Sequence, residues 1–360
     1  MVVSRRGFLA TSAVASGLCS PAPLFPGLSR ITAAEARLPD GIVRLRPEIE
    51  PLVQLIETTE RGRLLEEIGV RIRNGLSYRE LLAALLLAGV RNVEPRPAVG
   101  FKFHAVLVVN SAHLASEAAP DEDRWLPILW ALDEFKSSQA KDVQEGNWTM
   151  SPVDESRVPA GAALRADFHQ AMQVWDAGLA DVAAAGVARH LNAGETLDLF
   201  AEYAARDFRS IGHKPIYLAN AWRTLQTIGW EHSEPILRSL AYALLNHNGE
   251  PNPAKSDLVA DRSWKVNREL SQGVRSDWEH GRVDDGAVRE LVTMLHTCTA
   301  TEASQAVVSQ LNAGLGAQSI YNALHLAAGE LLMRQPGIVS LHASTTTNAL
   351  RFLFEHVSAS

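Results

Sequence analysis

Apolar residues recur every three or four positions along most of the chain, which is the spacing expected of amphipathic α-helices. Turn sequences such as Asn74-Gly75 and Pro336-Gly337 separate the periodic segments. Ser77 stands where an N-cap of the second segment is expected. The predicted helices are residues 52–72, 78–90, 125–138, 160–191, 197–208, 216–228, 235–245, 287–295 and 320–333.

Residues 103–109 combine high strand propensity with continuous apolar character. Because the apolar run continues to Leu114, a buried helix is favoured over a strand. Two stretches, residues 145–159 and 250–262, are predicted to be surface loops. Neither loop is long enough to indicate a second domain. The pattern therefore predicts an all-α fold, a multi-helix single domain of layered helical hairpins.

The composition excludes several classes of protein. The 360 residues include 34 Lys and Arg against 41 Asp and Glu, and this net charge of −7 argues against nucleic acid as a partner. No apolar run reaches the roughly 18 residues that a membrane span requires. The two cysteines, Cys19 and Cys298, are too few for a small disulfide scaffold.

The first residues have the pattern of a twin-arginine export signal. The motif SRRGFL at residues 4–9 precedes a short apolar run, and AEA at residues 34–36 offers a cleavage site. We therefore expect residues 1–36 to be the signal and residues 37–360 the all-α domain. The twin-arginine export machinery would deliver this domain to the periplasm or otherwise outside the cytoplasm. Because this pathway carries folded proteins, often with a cofactor already bound, the signal raises the expectation of a metal or redox group.

Common catalytic motifs are absent from the sequence. It has no G-x-G-x-x-G, P-loop, HExxH, CxxC or G-x-S-x-G pattern, so a nicotinamide or flavin Rossmann domain is not supported. Several of the twelve histidines lie within apolar segments, and the main candidates among them are His104, His113, His213 and His342. A buried imidazole needs a hydrogen-bond partner or a metal. One such histidine is more often a satisfied core residue, but several on separate helices also fit a metal site.

Helical geometry restricts which of these histidines can share a site. His104 and His113 are nine residues apart, a rotation of about 900°, so they point to opposite faces of one straight helix. His113 is therefore an alternative to His104 unless the helix breaks between them. His213 precedes Pro215 by two residues, which indicates that it lies near a helix start.

Other side chains could complete such a site. Lys102, Lys136 and Lys214 lie in or near the same segments and are either solvated amines or, once carbamylated, anionic oxygen ligands. Several carboxylates are surface charges, metal ligands or hydrogen-bond partners of the histidines: Asp133, Glu134, Glu202, Asp207 and Glu330. His296 and His325, in apolar helices, are secondary candidates. The sequence singles out no catalytic residue.

Three segments resemble the questin oxidase-like family. They are HAVL at residues 104–107, GHKPIYLANA at residues 212–221 and HASTTTNALR at residues 342–351, in the same order as in the family. The resemblance implies an all-helical fold and oxygenase chemistry on polycyclic aromatic rings. It also implies an iron centre held by several histidines and a modified lysine. His104, His213 and His342 would be its ligands.

The chain departs from the family pattern in two ways. Asn220 and Asn348 stand where further histidines of the family are expected, which implies a smaller or altered site unless His113 supplies a replacement. The export signal would separate the protein from cytoplasmic NADPH, which argues against a nicotinamide-dependent reaction.

These observations predict an exported mononuclear iron oxygenase that uses O₂ on an aromatic or quinone-like substrate. His104, His213 and His342, with His113 as a further candidate, would bind the metal. Three neutral imidazoles also accept zinc, so a zinc-dependent hydrolase or lyase is one alternative. A non-catalytic helical binding protein, with its histidines satisfied in the core, is the other.

Overall fold

Fifteen α-helices and no β-strand make up the described part of the chain, so the all-α fold class predicted from the sequence is confirmed. The computed structural model describes residues 43, 45–96, 101–206, 209, 211–245 and 251–358, with only the backbone of residues 101 and 102. The predicted export signal, with Cys19, and the side chains of Lys102 and Asp207 lie outside this description. The helices are α1 Glu50–Thr58, α2 Arg61–Arg73, α3 Tyr78–Asn92, α4 Phe101–Ala118, α5 Leu126–Gln144, α6 Leu164–Val174, α7 Ala177–His190, α8 Ala193–Arg206, α9 His213–Ile228, α10 Ser233–Leu245, α11 Val259–Ser271, α12 Asp285–Leu295, α13 Ala300–Asn312, α14 Ala317–Arg334 and α15 Ile338–His356.

Two of the predicted helices are each divided in two. Thr59 has an extended backbone (φ −72°, ψ 133°) and separates α1 from α2. Trp175 is left-handed (φ 63°), and the side chain of Asp176 accepts a hydrogen bond from the backbone N–H of Leu179 to cap α7. Both halves of each segment still face the core, which is why the apolar period continues across the break.

The apolar pattern missed three helices, α11, α13 and α15. The loop predicted over residues 250–262 stops early, because α11 begins at Val259. Thr299 and Glu302 form a capping box that starts α13. Residues 344–348 of α15 are Ser, Thr and Asn, which are poor helix formers, so this helix depends on its packing against neighbours.

Helix α3 forms the centre of the larger hydrophobic core. Its residues from Leu81 to Arg91 are all buried, and the Ser77 N-cap predicted for it is present as a capping box with Glu80. A smaller core cluster between α12 and α14 contains Ala287, Val288, Leu291, Leu315, Ile320 and Ala323. Within the described residues, no helix combines the length and apolar character needed to cross a membrane.

Three helices, α4, α9 and α15, lie side by side and run in the same direction. His104 of α4 is beside His213 of α9, and further along Asn110 is hydrogen-bonded to Asn220. His342 of α15 is beside His213 in the same way. His104, His213 and His342 therefore lie at one level of this three-helix group.

Candidate metal centre

Three histidines from three helices converge at one point in the fold. Each of His104, His213 and His342 offers a ring nitrogen, and these nitrogens all lie within 4.8 Å of one another. His213 and His342 are buried and His104 is half-buried. Convergent imidazoles on facing helices are the way metal sites are built in helical bundles. The structure thus brings together three of the four candidate ligands.

The hydrogen bonds of His342 fix which of its nitrogens faces this cluster. Its Nδ1 lies 2.7 Å from the carbonyl oxygen of Ile338, and a carbonyl only accepts, so Nδ1 carries the proton. The Nε2 atom of the neutral ring then has the lone pair and lies 2.9 Å from Nε2 of His213, which donates to it. Metal-binding histidines are held in this way, with the second ring nitrogen donating to a carbonyl or carboxylate.

An unusual turn places His213 at the first position of α9. Ile211 (φ 46°) and Gly212 (φ 87°) both have left-handed backbones, and the β-branched Ile211 is strained there. Thr346 of α15 donates a hydrogen bond to the carbonyl oxygen of Ile211 at 3.3 Å. A Cβ atom on Gly212 would overlap the Thr346 side chain. Glycine therefore allows the start of α9 to approach α15 closely enough for the two rings to meet.

Pro215 is the third residue of α9 rather than the first. A backbone N–H at this position has no intrahelical partner, so proline costs no hydrogen bond. The expectation that His213 lies at a helix start is met, with Gly212 as the N-cap.

His113 lies away from the three-histidine cluster. Its Nδ1 is 3.0 Å from the hydroxyl of Tyr78, and its Nε2 is 3.3 Å from the hydroxyl of Thr227 and 3.7 Å from the carboxylate of Glu117. The half-turn between His104 and His113 on the unbroken helix α4 accounts for this separation. The structure gives His113 hydrogen-bond partners of its own and no place beside His213.

The two lysines whose side chains are described have backbone partners. Lys214, fully buried, donates to the carbonyl oxygen of Leu244 at 2.9 Å, and its Nζ lies 5.1 Å from the centre of the Trp175 ring. Lys136 donates to two backbone carbonyls and to Gln139, and burial lowers its pKa. Both amines therefore lie inside the fold instead of being solvated.

Asparagines on α4, α9 and α15 lie six or seven residues after the three clustered histidines and form a second level. Asn110 donates to the side-chain oxygen of Asn220 at 3.4 Å, and Arg223 donates to Asn348 at 3.0 Å. Asn220 also donates to the backbone oxygen of Leu107. This level lies about 9–10 Å along the helices from the histidines. Asn220 and Asn348 therefore bind their neighbours and do not add ligands to the histidine cluster.

A cavity of about 640 Å³ lies against His342. It is bounded by α14, α15, the turn before α9 and the end of α12. Most of its wall is apolar, with Leu295, Leu324, Ala327, Ala328, Leu331, Val339 and Ala343. The polar part of the wall includes His296, Glu330 and Arg334. We call this space the His342 cavity.

A second cavity, of about 430 Å³, adjoins it. The two share Leu295 and Leu324 in their walls, and the lining of the second is almost entirely apolar. Of the two, the His342 cavity is the one whose wall includes a histidine of the cluster.

His296 and Glu330 were separate candidates in the sequence, and the hydrogen bond between them was not predicted. They are 34 residues apart, and no short motif links them. The role of Gly212 was also missed, although a Gly-His-Lys-Pro sequence at a helix start is a signal that could have pointed to it.

Comparison with known proteins does not add to this description. No family model, no curated protein and no solved structure matches the chain.

Proposed function

We propose that the protein is an exported, metal-dependent oxidoreductase, a mononuclear iron oxygenase that acts on an aromatic or quinone-like substrate. The observation that carries the proposal is the convergence of His104, His213 and His342 beside an apolar cavity. Bound iron would supply the activation of O₂. The resemblance of the three histidine segments to the questin oxidase-like family favours iron over other divalent metals.

The donor set fits a divalent ion. Neutral imidazoles suit iron, zinc and copper alike, and three of them leave positions open for other ligands. A ligating nitrogen must be unprotonated, so a bound ion would displace the proton that Nε2 of His213 shares with Nε2 of His342.

The His342 cavity supplies the place for the substrate. Its volume is within the range of roughly 300–1,000 Å³ that small-molecule sites have. Leu295, Leu324 and Leu331 give it broad apolar walls suited to a flat ring. His342 contributes to both the cavity wall and the histidine cluster, so a ring bound here would lie next to the metal position.

Metal content is the first test. The protein is exported natively, purified without chelators or a histidine tag, and subjected to elemental analysis. We expect about one iron per chain, and loss of that iron in His104→Ala, His213→Ala and His342→Ala. His113→Ala is the matched control and keeps its iron, because His113 binds Tyr78 and Thr227 instead.

The other outcomes decide between the alternatives. Zinc in place of iron, with turnover that persists without O₂, would favour a hydrolase or lyase. A well-folded protein without stoichiometric metal would overturn both catalytic proposals and leave a helical binding protein. Circular dichroism of each variant separates loss of metal from loss of fold, since a buried His→Ala change costs on the order of 1–4 kcal/mol.

A further inference from the structure

A solvent-accessible histidine–carboxylate pair lies in the wall of the His342 cavity, apart from the three-histidine cluster. Nε2 of His296, at the end of α12, is 2.9 Å from Oε2 of Glu330 on α14. We propose that this pair makes the cavity selective for phenolic ligands, with His296 accepting the proton of the ligand's hydroxyl group. The proposal rests on the proposed function only in treating this cavity as the substrate site.

The hydrogen bond between the pair fixes which nitrogen of His296 can accept a proton. A carboxylate only accepts, so Nε2 carries the hydrogen and donates it to Glu330. The neutral ring then has its lone pair on Nδ1. Among the described residues, no hydrogen bond to this Nδ1 is present. His296 is thus arranged as a base, with its other nitrogen held by an acid group.

The surroundings of Glu330 favour its ionised form. The hydrogen bond from His296 and the positive charge of Arg334, with which Glu330 forms an ion pair, lower the pKa of this carboxyl. These groups are the charged neighbours that face His296 from α14. The carboxylate of Glu330 holds one ring nitrogen of His296 and leaves the other for the ligand.

The apolar wall of the cavity favours a phenol over a small acid without a ring. Its wall is mostly aliphatic, which favours burial of a ring, and its charged side chains are those of Glu330 and Arg334, next to His296. A ring against Leu324 and Leu331 would direct a hydroxyl group to His296. The O–H bond of the phenol breaks and an N–H bond forms at Nδ1, with no change in oxidation state. The bound phenolate gives up electrons more readily than the phenol, which suits an oxygenase substrate.

The test uses full-length mature protein freed of metal by chelation, in the absence of O₂. The probe is 4-nitrophenol, whose phenolate absorbs at longer wavelength than the phenol, and 4-nitroanisole is the matched ligand without a proton to lose. At a pH below the pKa of free 4-nitrophenol, we expect the bound probe to be largely phenolate. We also expect about ten-fold tighter binding of nitrophenol than of nitroanisole, because only nitrophenol can give a proton to His296 and form a charge-assisted hydrogen bond with it.

Two substitutions keep hydrogen-bonding side chains at the site but remove the basic nitrogen or the negative charge. His296→Gln retains a donor for Glu330 and loses the basic nitrogen, so nitrophenol should bind as the phenol and no tighter than nitroanisole. Glu330→Gln keeps the hydrogen-bonding shape and removes the charge, so it should lower the phenolate fraction. Equal phenolate fractions in the wild type and in His296→Gln would overturn the proposal, as would failure of both probes to bind the wild type.

This measurement is independent of the metal. If the protein as purified contains no iron and the chelated protein gives a phenolate signal that depends on His296, the role of His296 as a base is supported and the iron oxygenase is overturned. If the protein contains iron and consumes O₂ but binds nitrophenol only as the phenol, the role of His296 as a base is overturned and the oxygenase proposal stands.

Discussion

The imidazole rings of His213 and His342 stand nearly perpendicular, at 82°, with their Nε2 atoms 2.9 Å apart. This contact joins the first residue of α9 to α15, across 129 residues of sequence. It requires a close approach of the two helices, which Gly212 permits because it has no Cβ atom to meet Thr346.

Gly212→Ala should remove metal binding although it changes no ligand. The new Cβ atom overlaps Thr346, and a residue at φ 87° is strained with any side chain, so α9 and α15 must move apart. We expect a loss of stability of about 1–3 kcal/mol and loss of the bound metal. Gly329→Ala on α14 is the control, because no atom lies within 4 Å of the added Cβ, and it should keep its stability and its bound metal. Thermal unfolding and elemental analysis report the two effects, and full metal content in Gly212→Ala would contradict the argument.

Ala327→Phe should block the substrate while leaving the metal in place. Ala327 lies in the wall of the His342 cavity, and an added phenyl ring occupies the space intended for an aromatic ligand. We expect affinity for phenols to fall about ten-fold or more, because overpacking costs roughly 1–3 kcal/mol. Leu326→Phe, at an exposed neighbouring position, is the matched control. Titration with 4-nitrophenol and elemental analysis measure both properties, and equal affinities for the two variants would place the ligand elsewhere.

Asp261→Asn should destabilise the protein strongly. Arg209 donates two hydrogen bonds to Asp261, at 2.8 and 2.7 Å, and both side chains are almost completely buried. Asp261→Asn removes a buried negative charge that is hydrogen-bonded to the buried guanidinium of Arg209, and breaking such a pair costs about 3–5 kcal/mol. Asp257→Asn, which breaks the exposed pair with Arg262, should change stability little. Urea unfolding at neutral pH separates the two variants.

The same pair predicts how stability depends on pH. Burial alone raises the pKa of Asp261, but the hydrogen bonds from Arg209 and Ser256 and the charge of Arg209 outweigh burial and lower it. A lowered pKa in the folded state means that the stabilisation is complete above the unfolded value of about 3.9 and is lost as the pH falls through the folded value. The stability difference between wild type and Asp261→Asn should therefore shrink below about pH 4. A constant difference down to the lowest pH would contradict this assignment.

Replacing Arg5-Arg6 by Lys-Lys should abolish export while keeping the charge of the N-terminal segment. The twin-arginine pathway reads the arginine pair itself, so two lysines are not equivalent. Arg30→Lys, within the same predicted signal, is the control and should be exported. Immunoblots of cell fractions from a bacterium with this pathway report the location. Export of the Lys-Lys protein would show that another route is used.

The apolar period determined most of the helices and the all-α class, because burial of one helix face requires an apolar residue at every turn. It also determined that His104 and His113 point in different directions, since the phase of a straight helix follows from residue spacing alone. It did not reveal α15, whose Ser, Thr and Asn residues form a helix only where neighbouring helices hold them.

Only the tertiary structure decided which histidines meet. His104, His213 and His342 come from segments more than 100 residues apart, and their nitrogens converge because α4, α9 and α15 pack in parallel at one level. The partnership of His296 with Glu330 and the cavity that both line likewise depend on how α12, α14 and α15 pack together. Local sequence sets the direction of a side chain on its own helix, whereas the distance between side chains on different helices is set by packing of the whole core.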